Sequence, residues 1–345
     1  MPSAQHSLSI IAVVLALVSV VILSLTINYE RWPVHEVTKQ QQSIADLEAT
    51  KYKKLNRHAR QIQQYDHNGD YLDWGATTRY VASDRMIFDS NGLPMVKYGQ
   101  TFEYNPVTIA QYFLTAHGQR VNGGTTMSLD SAMAKLLEMQ GADGAFRYNF
   151  PWKHYTMDKP YEPGWISGMA QGNALSAIAR AYTESPSPTL LQAGNKAVAF
   201  LMIPASGGGP RTDLRHLDPS LKNYVFFMEY VTDPPVYTLN GFMFTLLGLY
   251  DWWQATGSTD AEDLFKEGIK TLEKILPYYD FGGMSCYDLS YFTVQRDTYK
   301  KKGLPHMAAR YHAVHITQLR ALYSVTHNSV LLRYATLWAR RVEVS

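Results

Sequence analysis

From Asn105 onward the chain is cut into helix-length apolar stretches, each closed by glycine or proline, and this rhythm constrains the fold more than any other feature. Asn105-Pro106 offers a capping side chain followed by a proline suited to a first helical turn. The stretches 132–140, 166–183, 237–256 and 261–276 stop at Gly141, at Pro186 and Pro188, at Gly257 and at Pro277; 306–326 and 330–342 complete the set. Ala181-Tyr182, Leu249-Tyr250 and Leu322-Tyr323 each sit near the end of a long apolar helix, at similar spacing. The first two are followed by a turn and a second amphipathic helix. Repeated αα-hairpins stack, because one hairpin cannot bury its own apolar face. The expected fold is mainly α, an α/α toroid of helical hairpins over residues 105–345, whose central groove suits an extended polymer.

Ahead of the helices lie three other kinds of chain. Residues 8–27 are uncharged and rich in Leu, Val and Ile. Twenty helical residues rise about 30 Å, the thickness of a bilayer's hydrocarbon core. Without a basic n-region or a small-residue cleavage site, this run reads as an uncleaved transmembrane helix, a single-pass anchor within residues 1–30. The basic residues lie after the span rather than before it, which by the positive-inside rule alone would leave the rest of the chain in the cytoplasm. Residues 31–64 read as a polar helical stalk. Residues 65–104 hold Arg79-Tyr80-Val81-Ala82 and Met86-Ile87-Phe88, with Asn-Gly turns at 68–69 and 91–92, so a small β-rich segment of one or two hairpins is expected. Asp66, Asn68, Asp70 and Asp73 are spaced partly like a calcium loop, but the downstream bidentate Glu is missing and an ordinary turn is expected.

A net charge of +2 over 345 residues argues against nucleic acid as a partner. The 24 tyrosines and seven tryptophans supply flat apolar faces with polar tips, suited to sugar rings and equally to core packing. One cysteine, Cys286, excludes an internal disulfide framework.

Three tyrosine-bearing clusters fall at helix entrances or inter-helix loops. They are Phe226-Phe227-Met228-Glu229-Tyr230 leading to Leu239-Asn240-Gly241-Phe242, then Tyr287-Asp288-Leu289, then Arg310-Tyr311-His312 running through His315. His312 and His315 have a metal-ligand spacing, but no further ligand motif accompanies them, so structural histidines are expected and no metal. A carboxylate in the aromatic setting of Glu229 is either paired or functional. Arg147, Lys153, Arg211, Arg215 and the basic run at 300–302 read as solvated loop charge.

Taken in order, Ser167-Gly168-Met169-Ala170-Gln171-Gly172, Glu229-Tyr230, Leu239-Asn240-Gly241-Phe242, Gly248-Leu249-Tyr250-Asp251, Tyr287-Asp288-Leu289 and the Tyr311-His312, His315-Ile316, Gln318-Leu319 series resemble the D-glucuronyl 5-epimerases of heparan sulfate and heparosan. The resemblance covers roughly residues 100–340 and implies an α/α-barrel catalytic domain. It implies inversion of carbon-5 of D-glucuronate to L-iduronate within a glycosaminoglycan-like polysaccharide, an isomerase reaction. Two departures stand out: Val231 follows Glu-Tyr where the animal members of that family have Pro, and Ser290 follows Tyr-Asp-Leu where they have Arg. The second removes one partner for a substrate anion.

Epimerisation removes a proton α to a carboxylate and returns one to the opposite face, so it needs a proton carrier on each face. Glu229 and Tyr311 are assigned as the opposed acid–base pair, with Tyr287 as the alternative carrier. Tyr230, Asn240, Arg310, His312 and His315 are assigned to substrate binding and tuning. No cofactor is expected, because the same carbon loses and regains hydrogen. The expected partners are a uronic-acid-containing polysaccharide, the membrane, and a second copy of the chain as an open alternative. Three rivals share the residues: a uronan lyase; a glycoside hydrolase using two of Asp288, Asp251 and Glu229; and a non-catalytic membrane glycan-binding protein, favoured if the Tyr311 cluster is closed to solvent. Gly168 and Gly241 should mark close approaches, since glycine inside a helix otherwise costs about 1 kcal/mol.

Overall fold

Side-chain caps open the helical part of the chain at serines and asparagines that precede its apolar stretches. Asn105 Oδ1 accepts from the Val107 and Thr108 amides at 2.8 and 3.2 Å. Ser167, Ser187 and Ser258 do the same for the amides of Ala170, Leu190 and Ala261. In a computed structural model, residues 39–54, 58–294 and 305–342 are described. The described residues fall in one compact unit. The helices are α1 (Lys39–Lys53), α2 (Trp74–Thr77), α3 (Pro106–Val121), α4 (Leu129–Glu138), α5 (Gly168–Glu184), α6 (Pro188–Leu201), α7 (Leu239–Thr256), α8 (Thr259–Tyr279), α9 (Ser290–Thr293), α10 (Tyr311–Thr326) and α11 (Ser329–Val342).

The chain is mainly helical, and the helices pair as hairpins: α3 with α4, α5 with α6, α7 with α8, α10 with α11. Within these, α3, α5, α7 and α10 pack side by side in that order. The α5–α7 crossing is the closest. A Cβ on Gly248 would fall 2.1 Å from the Gly172 carbonyl oxygen, so the two backbones touch because neither residue has a side chain. Further along the two helices, Arg180 and Asp251 form a fully buried ion pair at 2.9 Å. Arg180 also donates to the carbonyls of Asp66 and Gly69, and the Tyr65 hydroxyl donates to Asp251. Residues 65–70 are thereby tied to the helical core, and Asp251 has a structural partner rather than a place in a hydrolase pair.

Before α3, three short strands, β1 (Met86–Phe88), β2 (Pro94–Tyr98) and β3 (Thr101–Glu103), form an antiparallel sheet in sequence order. Arg79-Tyr80-Val81-Ala82, read above as strand, is irregular; the Arg79 guanidinium instead donates back to the carbonyls of Gly75 and Thr78. At the calcium-like turn, Asp66 accepts from the Asn68 amide, and Asp70 accepts from the Gly75 and Ala76 amides. The expected stalk contains α1, whose Ala45, Ala49 and Tyr52 pack on Met284 and Ala313.

Two helix limits differ from expectation for physical reasons. α8 runs through Pro277 to Tyr279, because burial of Tyr278 and Tyr279 sustains the last turn after the proline. α10 starts at Tyr311 rather than near His306, because Ala309 has a left-handed φ of +45° and 305–310 runs as a separate link. The expected transmembrane helix at 8–27 lies outside the described residues. Among the described residues, no helix is long and apolar enough to cross a membrane.

Candidate active site

Three backbone segments meet where α7 begins. Strand β6 (Arg211–Asp213) pairs antiparallel with β7 (Val225–Phe227), all three of whose residues are buried, and Glu229 follows directly. The Met228 carbonyl accepts from the Gly168 amide at 2.8 Å, fixing this strand end against the start of α5. A Cβ on Gly168 would meet that carbonyl oxygen at 2.8 Å, so glycine permits the approach. The second segment carries Tyr287. Its amide donates to the His306 carbonyl at 2.7 Å, and its carbonyl accepts from the Leu239 amide at 3.0 Å. The third is the link that ends at Ala309 and delivers Tyr311 to the head of α10.

Glu229, Tyr230 and Tyr311 line one cavity of about 330 Å³. Tyr287 packs against this group, its ring centroid 5.0 Å from that of Tyr311. Tyr311 is 38 % exposed, so the cavity is open to solvent there, and the closed Tyr311 cluster that would favour a non-catalytic glycan-binding protein is not found. Glu229 is only 6 % exposed, and its Oε2 is buried without a well-formed hydrogen bond among the described residues. Burial pushes its carboxyl up to about 7. Polar contacts from Tyr230 and Tyr287 and from the Gly241 amide pull the other way, while the charge of Asp288 adds to the rise. A group so placed exchanges protons near neutrality, the condition for general acid–base work. The phenols of Tyr287 and Tyr311 are raised, first by burial and then by the charge of Glu229, so both remain neutral donors.

The other predicted binding residues fall elsewhere. His312 is buried: its Nδ1 accepts from the Ser285 amide at 3.1 Å, and Nε2 lies 3.2 Å from the Trp338 carbonyl. Burial lowers its imidazole to about 4. His315 is equally buried, with Nδ1 against the Ser285 hydroxyl at 2.9 Å. Neither lines the cavity; they hold the Tyr287-bearing segment to α10. Asn240 is buried in the first turn of α7, where its carbonyl accepts from Gln318. Arg310 is exposed and faces a neighbouring cleft.

Sequence reasoning missed the aromatic wall. Tyr98, Tyr148, Trp152 and Trp165 line the cavity, with Tyr148 and Trp165 stacked at 3.7 Å and Trp152 stacked on Tyr230 at 4.9 Å. Tyr98 ends strand β2, and the other three come from the loop around strands β4 (Arg147–Tyr148) and β5 (Trp165–Ile166). The signal available was the density of aromatics between Tyr148 and Trp165 in a proline-bearing stretch. Also missed was a buried polar knot. Asp288 accepts from the Tyr155 hydroxyl, from the Ser290 amide and hydroxyl at 3.0 and 2.6 Å, and faces His306 Nδ1 at 3.0 Å. Ser290 thus caps Asp288 through both its amide and its hydroxyl.

Similarity to known proteins fits this geometry. The family model described as D-glucuronyl C5-epimerase C-terminus matches residues 140–340, more than half of the chain. A D-glucuronyl C5-epimerase of Caenorhabditis elegans is 31% identical over 189 residues, covering 51% of this chain and 28% of the relative. The chain therefore spans under a third of that relative's length. An uncharacterized protein of Methanocaldococcus jannaschii is also 31% identical, over 243 residues, covering 70% of this chain and 71% of the relative.

Proposed function

The chain belongs to the D-glucuronyl C5-epimerase family, and from that premise we propose that it inverts carbon-5 of glucuronate residues within a polysaccharide of the heparosan type. The observation that carries this reading is Glu229, a carboxyl held at about 7 in an aromatic-walled cavity beside Tyr311. Ionised Glu229 takes the carbon-5 proton, and the Tyr311 phenol delivers a proton to the other face. Exchange with solvent restores both groups, and no redox step is needed. Tyr287 stands behind the pair as the alternative donor. Stacked Trp152 and Tyr230 offer an apolar face to a sugar ring. Asn105 and Gln111, which also line the cavity, offer hydrogen bonds to its hydroxyl and carboxylate oxygens.

The side-by-side order of α3, α5, α7 and α10, each backed by its hairpin partner, supports an α/α toroid with the active site at one end of its inner helices. The apolar run at 8–27 supports a single-pass membrane anchor ahead of the catalytic part. Incubation with heparosan, followed by disaccharide analysis, tests the function. Iduronate at unchanged chain length is expected; shortened chains ending in an unsaturated uronate would make the protein a lyase instead.

A further inference from the structure

A second cleft, of about 600 Å³, opens beside the candidate active site. The two share Trp74 and Val314 as walls, and Arg310 in the second immediately precedes Tyr311 in the first. The second cleft is basic: Arg60, Arg79 and Arg310 line it together with His58, and no Asp or Glu is among its lining residues. Arg120, Arg147, Arg180, Arg211 and Arg215 each pair with a carboxylate. Arg60, Arg79 and Arg310 have no such pair among the described residues. Arg79 uses only Nη1 for its bonds to the Gly75 and Thr78 carbonyls. The nearby carboxyl of Asp73 is raised, by burial and by Asp70, with Arg60 opposing the rise.

The wall between the clefts is held under backbone strain. Leu72 and Asp73 have φ of +50° and +58°, and they lead directly into Trp74. Left-handed non-glycine residues cost on the order of 1 kcal/mol or more each and persist only where their surroundings fix them. Here the following amides of Gly75 and Ala76 are held by the Asp70 carboxylate.

We propose that this cleft is an anion subsite, taking the carboxylate of a uronate that neighbours the reacting sugar on the same polymer. The inference rests on the uronan reading above, since such a polymer carries a fixed charge on each uronate along its path. Guanidinium groups match carboxylates through paired N–H donors, and unpaired ones have no protein anion to surrender first. Arg60 and Arg79 precede residues 140–340, which match the family model, whereas Arg310 lies within them, so the cleft joins the leading segment to the head of α10. It makes the enzyme a reader of polymer rather than of single sugars.

The test is isothermal titration of the full chain with a heparosan octasaccharide, which reads binding without turnover. Arg60→Gln/Arg79→Gln is expected to weaken affinity about tenfold or more and to flatten its salt dependence. Arg60→Lys/Arg79→Lys, which keeps the charge, should recover much of the loss. Lys270→Gln, an exposed charge removed from α8, should leave affinity unchanged. Circular dichroism checks that each variant is folded, and Arg60→Gln alone should act in the same direction. Equal binding by the unaltered protein and the Gln double variant overturns the subsite while the uronan reading stands. Absence of octasaccharide binding by the unaltered protein overturns both.

Discussion

Gly241 lets the side chain of Glu229 lie against the first turn of α7: a Cβ there would fall 2.4 Å from Oε2 and 2.5 Å from Cβ of Glu229. Both distances are well inside van der Waals contact, so a methyl group must displace either the carboxylate or the strand end that carries it. Gly241→Ala is therefore expected to cost about 1–3 kcal/mol of stability as overpacking. Displacing the base by a fraction of an ångström should slow proton exchange about tenfold or more. Thermal unfolding and initial exchange rates measure the two effects separately, and an unchanged rate would remove Glu229 from the chemistry.

Glu229 also makes stability depend on pH in a definite sense. Its folded value, about 7, stands above the ordinary 4.5 because burial disfavours the anion. The neutral form is the one the fold prefers. This group's contribution is complete below the unfolded value and is lost as pH rises through about 7. A displacement of that size corresponds to roughly 3 kcal/mol once the group is fully ionised. Glu229→Gln should accordingly flatten the decline in chemical-denaturation stability between mildly acidic and alkaline pH. Activity should move oppositely, rising with pH through about 7 as the base ionises, and the Gln variant should lose at least ~10²-fold. A variant that declines in stability as steeply as the unaltered protein would mean that Glu229 is not the buried acid.

The Arg180–Asp251 pair separates scaffold from chemistry. Both side chains are fully buried and fasten residues 65–70 to α5 and α7. Asp251→Asn leaves Arg180 as a buried charge without its counterion, for which about 3–5 kcal/mol of destabilisation is expected. Denaturant unfolding should register that loss. Turnover per folded molecule should stay close to that of the unaltered protein, whereas a collapse of turnover at full stability would return Asp251 to the hydrolase reading.

Helix positions were legible because local chemistry sets them: Asn105, Ser167, Ser187 and Ser258 cap where the apolar stretches begin, and Gly257 closes α7 with φ of +72°. The close approaches at Gly168 and Gly241 were legible for the same reason, since glycine in a helix needs a cause. Residues whose environment is assembled from distant segments were not legible. His312 and His315 have the spacing of ligands, yet both rings turn inward to Ser285, a contact no local pattern announces. The aromatic wall from Tyr148 to Trp165 carries no periodicity, because its strands are two residues long and its rings meet by stacking. Asp288 was read through its motif, but its partners Tyr155 and His306 come from loops on either side in sequence.

The two-face proton transfer is tested most directly by following deuterium at carbon-5 when heparosan is incubated with the protein in deuterated water. The unaltered chain should place deuterium at carbon-5 and generate iduronate without shortening the polymer. Tyr311→Phe keeps the ring that packs at 5.0 Å from Tyr287 but deletes the donor. It should lower formation of iduronate at least ~10²-fold while Glu229 still allows exchange on one face. Full inversion by Tyr311→Phe, or cleavage of the polymer without deuterium at carbon-5, would contradict the account.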